Sequence, residues 1–266
     1  MNAGAAPAGP AAGHALAGVV RPLCWRLSQP PPAAALSQPG GSAAAPAPSP
    51  HGLLPLLLLL DRRDQAPPAR SGCADPRSPA GFAPDAAERE RAARYRRPED
   101  RERFLLGRAA LRLLLGAWLA CDPASLRFRY GPQGKPALDR PEGAAPHFNL
   151  AHSGDLILLA LHPALAVGVD VERHRPDLAW QPIAARFLPP ADLADLRAQP
   201  PAAQAAGFLQ LWCRLEARLK ASGEGLAGLE RLRRRGDAEA GLAGGALWDV
   251  AVPAGYGAAV ALAPPA

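Results

Sequence analysis

The chain has 266 residues and a formal charge of +6, from 30 Lys or Arg against 24 Asp or Glu. This length allows one large domain or two small ones with a buried core. The positive charge fits an anionic partner and does not distinguish nucleic acid from a phosphorylated small molecule or an acidic protein. The only long apolar run, 53–60, contains Pro55 and is far shorter than the ~20 residues of a membrane span, so we expect no membrane association.

The cysteines and the N-terminus predict a cytoplasmic protein. No two cysteines share a C-x-x-C spacing, which favours reduced thiols over a disulfide framework or a structural zinc site. They are Cys24, Cys73, Cys121 and Cys213. The first residues lack the basic segment followed by an apolar one that marks a secretory signal. Residues 1–17 are almost wholly Ala, Gly and Pro and predict a disordered extension.

Ordered elements are predicted mainly after Pro84, since only one short strand, within residues 18–29, is expected among the Pro-rich segments before it. Asp85 is a helix cap, and Pro98 followed by two acids begins a second helix that runs to about residue 120. A later long helix is predicted over Ala206–Ser222, where Gly223 ends it.

Alternating or continuous apolar segments predict strands on both sides of the later long helix. These segments are S-L-R-F-R-Y, L-I-L-L-A-L-H-P, Val167–Glu172, A-L-W-D-V-A-V-P and Y-G-A-A-V-A-L-A. The order is strand, long helix and strands, and then the same again. This order predicts an α+β fold made of two related halves.

The segment V-G-V-D-V-E-R-H (Val167–His174) predicts a half-buried strand, with the valines toward a core and Gly168, Asp170 and Glu172 on the other face. Two carboxylates two residues apart on a strand lie about 7 Å apart. Such a pair is commonly only a solvated strand face. The flanking valines indicate a partly buried setting instead, where unpaired carboxylates are costly and a hard cation such as Mg²⁺ relieves that cost.

Helical periodicity gives the segment L-W-C-R-L-E-A-R-L-K (Leu211–Lys220) two distinct faces. The apolar face is predicted to pack inward and consists of Phe208, Leu211, Leu215 and Leu219. The neighbouring face carries Trp212, Glu216 and Lys220 at i, i+4 spacing. An ordinary Glu–Lys helix pair explains that spacing; the alternative is a third metal ligand at Glu216 and a phosphate contact at Lys220.

Two polar segments precede the acidic strand. Y-G-P-Q-G-K-P (Tyr130–Pro136) offers glycines and a lysine to a phosphate, but it lacks the spacing of a P-loop, and a turn is the simpler interpretation. H-F-N-L-A-H-S-G-D (His147–Asp155) places His152 and Ser153 in a predicted loop, either an anion-binding nest or a plain turn. The arginine-rich stretch Arg89–Arg112 is predicted to be a solvated helix surface with i, i+4 ion pairs, and it lacks the interleaving of aromatic and basic residues expected of a single-strand nucleic-acid binder.

The order of these motifs is more specific than any one of them. G-K-P, H-F-N-x-x-H-S-G, V-G-V-D-V-E and W-x-x-x-E-A-x-x-K together resemble the 4′-phosphopantetheinyl transferase superfamily, in particular its larger Sfp-type branch, over roughly Asp85–Leu262. The resemblance implies two similar α+β halves with pseudo-twofold symmetry, each a long helix against a small antiparallel sheet, and coenzyme A between them. We expect the halves to be residues 18–165, including the Pro/Ala-rich insertions, and residues 166–266 of one monomer.

The resemblance also implies a reaction, which is the transfer of phosphopantetheine from coenzyme A to a serine of an apo acyl or peptidyl carrier protein, with release of 3′,5′-ADP. Its cofactor is Mg²⁺, or Mn²⁺ in its place, and the implied ligands are Asp170, Glu172 and Glu216. The implied catalytic residues are Glu216, Asp170 and Lys220, and Glu216 or a water molecule at the metal takes the serine proton. The implied coenzyme A contacts are Arg91 (near the 3′-phosphate), Gly134, Lys135, His152, Ser153 and Lys220.

Two positions depart from the family pattern. Leu215 stands where the helix motif usually has its first lysine, and Ala151 stands where a serine often precedes the histidine. Neither change removes an implied metal ligand, so we expect an active enzyme. A catalytically degenerate relative that only binds coenzyme A or a carrier is the alternative. A basic nucleic-acid-binding protein is a further one, but it leaves the paired acids unexplained, and we expect no nucleic-acid partner.

Overall fold

The structure is a computed structural model that describes residues 23–25, 56–62, 84–131, 134–140, 145–225, 228–229 and 245–264. The chain packs as two compact units, one of residues 1–24 and 60–127 and the other of residues 25–59 and 128–266. The extension predicted over residues 1–17 lies outside the described residues. The predicted division into halves at residue 166 stays a prediction.

Two helices form most of the described part of the first unit. Helix α1 (Ala86–Ala93) begins at the predicted cap, where Asp85 accepts a hydrogen bond of 2.8 Å from the Glu88 amide and the Glu88 carboxylate accepts one of 3.0 Å in return. This reciprocal pair is a capping box. Helix α2 (Pro98–Leu119) begins at the predicted proline and is capped by Ala120, in agreement with the sequence.

A buried ion-pair network crosses the first unit, so the prediction of a solvated arginine-rich surface is wrong there. The Arg112 and Glu88 side chains are 1% and 2% exposed, and their Nε and Oε1 atoms lie 2.9 Å apart. Arg112 also donates to Asp85 and to two main-chain carbonyl groups after α2. Arg108 lies 3.3 Å from the same Glu88 oxygen. The network therefore joins α1 to α2 and to the segment that follows.

The described strands form three small sheets, with the orders β1-β2-β6-β5, β3-β4 and β7-β9-β8. They are β1 (Leu23–Trp25), β2 (Leu56–Asp61), β3 (Phe128–Tyr130), β4 (Pro136–Leu138), β5 (His147–Ser153), β6 (Leu156–His162), β7 (Val167–Arg173), β8 (Ala246–Asp249) and β9 (Tyr256–Leu262). The pairs β3–β4, β5–β6, β7–β9 and β8–β9 are antiparallel. Small antiparallel sheets combined with helices confirm the α+β class, and the internal twofold symmetry stays a prediction.

Three helices belong to the second unit. Helix α3 (Trp180–Phe187) and helix α4 (Pro190–Ala198) precede helix α5 (Pro201–Ser222). Gly223 caps the end of α5 with φ +72°, as the sequence predicts. The rings of Trp180 and Phe208 stack at 5.6 Å and join α3 to α5. None of the described helices is long and apolar enough to cross a membrane.

Strand β7 is buried on both faces, whereas the sequence predicted a half-buried strand. Its valines belong to a core shared with β6 and β9. Its other face packs directly on α5. A Cβ atom on Gly168 would lie 2.8 Å from the carbonyl carbon of Lys220, and closer still to the main chain of Ala217 and Ala221. The glycine therefore makes room for the helix backbone.

Candidate active site

The candidate site lies where β7 meets α5, and its most buried acid is Asp170. Asp170 Oδ1 accepts a hydrogen bond of 2.6 Å from Lys220 Nζ. Its other oxygen, Oδ2, is buried and has no hydrogen-bond partner among the described residues. An orphaned buried carboxylate oxygen is costly. The position is therefore suited to a further ligand.

Glu172, two residues further along the same strand face, is held by a hydroxyl group. Ser153 Oγ donates to Glu172 Oε2 at 2.7 Å and accepts from the Arg173 amide at 3.1 Å. Burial raises the pKa of Glu172, the Ser153 hydrogen bond opposes that rise, and the negative charge of Asp170 adds to it. Glu172 is therefore a carboxylate whose charge is only partly compensated within the protein.

Glu216 and Lys220 complete the cluster from successive turns of α5. Burial raises the pKa of Glu216; Lys220 opposes the rise, and Asp170 and Glu172 add to it. Burial acts to lower the pKa of Lys220, but the ion pair and hydrogen bond with Asp170, together with Glu216 and Glu172, hold it above its usual value. The three acids and the ammonium group thus form one electrostatic unit, built from residues of two separate elements.

Cys213 is a buried thiol next to this cluster. Burial first, and then the nearby carboxylate of Asp170, raise its pKa far above the ordinary thiol value. The thiolate is the reactive form of cysteine. Cys213 is therefore an inert thiol that offers Asp170 at most a weak S–H donor.

Lys135 lies on the predicted phosphate-binding turn, but its ammonium group faces main-chain carbonyl groups. It donates to the carbonyl oxygen of Val167 at 3.1 Å and to that of Lys220. Burial lowers the pKa of Lys135 to about 8. The structure thus brings Lys135 to the acidic strand and the helix end.

Asn149 is a site residue that the sequence analysis did not single out. Its side-chain oxygen accepts a hydrogen bond from the Val169 amide at 2.9 Å. Asn149, Ser153 and Lys135 therefore all form hydrogen bonds with main-chain groups on the edge of β7 that does not pair with β9. A buried asparagine between apolar strand residues needs a partner. That burial pattern is the signal that could have found it.

The remaining predicted residues lie in three different settings. His152 and Ser153 belong to strand β5, so the prediction of a loop there is wrong; the turn is confined to the next two residues. Gly134 adopts φ +74°, a conformation that favours glycine, and its α-carbon faces open space. The turn therefore requires this glycine for its backbone conformation and not to make room for a neighbour. Arg91 belongs to the first unit, where it is exposed and its guanidinium lies 5.8 Å from the centre of the Phe104 ring.

The donor atoms fit a hard divalent cation by their chemistry. Mg²⁺ prefers carboxylate oxygens, and Asp170 offers a buried oxygen without a partner. Burial, and after it the neighbouring carboxylates, also raise the pKa values of Glu172 and Glu216. Yet among the described residues no three His, Cys, Asp or Glu side chains already have the spacing of a metal site. An ammonium group, that of Lys220, stands at the carboxylate instead.

Comparison with known proteins places both parts of the chain in one family. Residues 166–240 match the 4′-phosphopantetheinyl transferase superfamily model, and residues 83–164 match the model named 4′-phosphopantetheinyl transferase, N-terminal. Together the two models cover more than half of the chain. The first of them contains the whole β7–α5 cluster.

Individual relatives agree with the family models. The slr0495 protein of Synechocystis sp. is 43% identical over 141 residues, which are 53% of this chain and 57% of that protein. The 4′-phosphopantetheinyl transferase HetI of Nostoc sp. is 39% identical over 54% of this chain and 62% of its own length. The 4′-phosphopantetheinyl transferase Sfp of Bacillus subtilis is 31% identical over 53% and 60%.

The matched region thus spans about three fifths of the length of these curated relatives. The regions matched by the two family models contain the polar strand β5, the acidic strand β7 and the helix α5 that build the site. The chain belongs to the 4′-phosphopantetheinyl transferase superfamily and to its Sfp-type branch.

Proposed function

We propose that this protein transfers the phosphopantetheine group of coenzyme A to a serine of an apo acyl or peptidyl carrier protein and releases 3′,5′-ADP. The observation that carries the proposal is the cluster of Asp170, Glu172, Glu216 and Lys220 between β7 and α5. Three acids around one ammonium group suit a reaction that needs both a cation site and a proton acceptor beside a diphosphate. Family membership supplies the substrate class.

Asp170, Glu172 and Glu216 are the residues that would hold Mg²⁺, or Mn²⁺ in its place. A bound dication stabilises the negative charge that develops on transferring phosphoryl oxygens. The support for this part of the proposal is the unpaired Oδ2 atom of Asp170 and the raised pKa values of the two glutamates.

Glu216 is the proposed general base. As the serine oxygen bonds to the β-phosphorus of coenzyme A, the bond from that phosphorus to the bridging oxygen breaks, and the bridging oxygen leaves on 3′,5′-ADP. The serine proton passes to a Glu216 carboxylate oxygen. A raised carboxyl pKa brings the acceptor closer to neutral pH, where general bases are most effective. Lys220 offsets charge on the diphosphate.

The other residues are proposed to bind coenzyme A. Arg91 is a candidate for the 3′-phosphate because it is an exposed cation. The proposed contacts of Gly134, His152 and Ser153 rest on their motifs alone. For Lys135, whose ammonium already has two carbonyl partners, we propose that the phosphate contact requires it to leave at least one of them. We also propose a monomer that acts in the cytoplasm.

Intact-mass analysis of an apo carrier protein tests the proposal directly. The full chain with coenzyme A and Mg²⁺ should add the mass of one phosphopantetheine group to the carrier, EDTA should stop the reaction, and excess Mg²⁺ should restore it. Carriers of the fatty acid, polyketide and nonribosomal peptide types should be compared. A folded protein that binds coenzyme A and modifies none of them would instead be the degenerate relative.

A further inference from the structure

The ion pair between Lys220 and Asp170 has one fully buried side chain and one partly exposed side chain. The Asp170 side chain is 5% exposed and the Lys220 side chain is 31% exposed, with 2.6 Å between the paired atoms. Asp170 therefore cannot turn toward solvent without leaving the core, whereas the lysine side chain already reaches the surface over part of its length. Any rearrangement of this pair is a movement of the lysine.

The main chain of Lys220 is fixed, which confines that movement to the side chain. Lys135 donates a hydrogen bond to the Lys220 carbonyl oxygen. Gly168 packs against the same peptide group, and a Cβ atom there would lie 2.8 Å from its carbonyl carbon. The lysine thus extends from a rigid base, and rotation about its side-chain bonds can carry the ammonium group away from Asp170.

A divalent cation and the ammonium group compete for the same carboxylate. Lys220 is attracted to Asp170, Glu216 and Glu172, which are also the proposed metal ligands. Like charges at a few ångströms repel strongly where water is scarce. With the lysine in place, a dication meets a carboxylate whose Oδ1 is occupied and whose charge is already compensated.

We propose that Lys220 couples the binding of the divalent cation to the binding of the coenzyme A diphosphate. The diphosphate draws the ammonium group off Asp170, leaves the charge of that carboxylate for the cation and keeps the lysine as its own counter-ion. Each ligand therefore raises the affinity for the other by the same factor. This inference rests on the proposed function, since it assumes that a diphosphate enters the site.

The deciding measurement is Mn²⁺ binding to the full chain without coenzyme A, followed by the loss of the free Mn²⁺ signal in electron paramagnetic resonance. Lys220→Met removes the competing charge and should tighten Mn²⁺ binding by at least about 10-fold, within the usual range of coupling between sites. Lys220→Gln keeps a hydrogen-bond donor without the charge and should act in the same direction if Lys220→Met does not fold. Arg214→Met, which removes a cation of α5 that pairs with Asp249, should leave Mn²⁺ affinity unchanged.

Coenzyme A binding with and without Mg²⁺, measured by calorimetry, gives the second readout. The wild-type protein should show a coupling of about 5-fold or more, and the Lys220 variants a smaller one, because only the direct attraction between the dication and the diphosphate remains. A lysine that only contacts phosphate would weaken coenzyme A binding and leave Mn²⁺ affinity unchanged, which would overturn the proposal. If the wild-type protein modifies a carrier but the Lys220 variants bind Mn²⁺ no more tightly than the wild-type protein, only the proposed coupling is wrong. If the wild-type protein modifies no carrier, the proposed function itself is wrong.

Discussion

The side chain of Lys135 donates a hydrogen bond to the main-chain carbonyl oxygen of Lys220, and these two residues are the only lysines in the chain. Every other basic side chain apart from histidine is an arginine. The accepting carbonyl lies in the last turn of α5, where helix carbonyl groups lack intrahelical partners. A cation there also complements the helix dipole. Lys135 therefore caps the helix from which Lys220 reaches Asp170.

The pKa values of the two lysines should be shifted in opposite directions from that of an ordinary lysine. Protein labelled with ¹³C at lysine Cε should give two side-chain signals, one with a pKa of about 8 from Lys135, which burial lowers, and one above the usual lysine value from Lys220, which Asp170 holds charged. Lys135→Arg should remove one signal and so assign both. Two signals that titrate together at the usual lysine value would contradict the buried positions of these side chains.

The same shift predicts a rise in stability with pH. Between the folded pKa of about 8 and the ordinary value of 10.5, the unfolded chain binds more protons at Lys135 than the folded chain does. Lys135 should therefore contribute a free energy of unfolding that increases with pH in this window, by up to about 3 kcal/mol in total. The buried thiol of Cys213 acts in the opposite sense, so the test is the difference between two proteins: urea denaturation from pH 7.5 to 9.5 should give a more positive slope for the wild-type protein than for Lys135→Met. Equal slopes in the two proteins would disprove the assignment to Lys135.

Gly168→Ala should disrupt the contact between β7 and α5. The added methyl group would overlap the main chain of Ala217 and Ala221, which cannot move aside as a side chain can. Overpacking costs typically about 1–3 kcal/mol, and we expect the upper end or more here. Gly131→Ala is the matched control, because its methyl group would lie 3.7 Å from the nearest atom, the Lys135 carbonyl oxygen. A thermal melt in which both variants match the wild-type protein would show that the helix can shift.

The elements that carry the site were predictable because their residues repeat with the period of their structure. Val167, Val169 and Val171 alternate along β7, and the apolar residues of α5 recur every three or four positions. The strand, the helix and the faces on which the acids and Lys220 lie follow from those periods. The meeting of the acids with Lys220 and the burial of both faces of β7 do not, since both depend on how helix α5 packs against the strand.

Other features depend on contacts between distant parts of the chain. Strand β2 was not predicted because Leu57–Leu60 is continuously apolar, as in strands buried on both faces, and shows no alternation. The partners of Lys135 lie 32 and 85 residues away along the chain, and no local pattern indicates them. The residues around Arg112 in the sequence resemble those of a helix surface, and only the fold brings Glu88 beside it.

Arg112→Ala should destabilise the first unit strongly. It leaves Glu88 buried without its main charge partner, and breaking a buried ion pair from one side costs about 3–5 kcal/mol. Arg94→Ala is the control, since the Arg94–Glu90 side chains are 73% and 70% exposed and surface pairs of this kind contribute about 0.5 kcal/mol or less. Chemical denaturation should separate the two variants. A loss below about 1 kcal/mol for Arg112→Ala would mean that water replaces the guanidinium group.

Leu215→Lys should destabilise the protein although it restores the usual residue of the family motif. Leu215 is 3% exposed and packs in the core formed by α3, α4 and α5. Burying a polar group without a partner costs about 2–7 kcal/mol, so a charge placed there should cost several kcal/mol. A melting temperature equal to that of the wild-type protein, with tighter coenzyme A binding, would show instead that this position borders the ligand. Leu215→Met should be tolerated, because it conserves volume.

Glu216→Gln should make the protein more stable and less active. Since burial raises the carboxyl pKa of Glu216 in the folded state, the folded chain binds more protons than the unfolded chain between the two pKa values, and the free energy of unfolding falls as pH rises through that range. Glutamine carries no charge and avoids this loss. Its melting temperature should therefore exceed that of the wild-type protein at pH 8, and the difference should shrink toward pH 4.

Transfer to the carrier should fall in the same Glu216→Gln variant by about 10²–10⁴-fold, the usual contribution of a general base. Asp177→Asn, at an exposed acid of the same unit, should change neither quantity. A gain in stability with loss of turnover is the pattern expected where a strained charge is kept for function. If Glu216→Gln is stabilised and still transfers at the wild-type rate, burial of the carboxylate is confirmed, and another group must accept the serine proton.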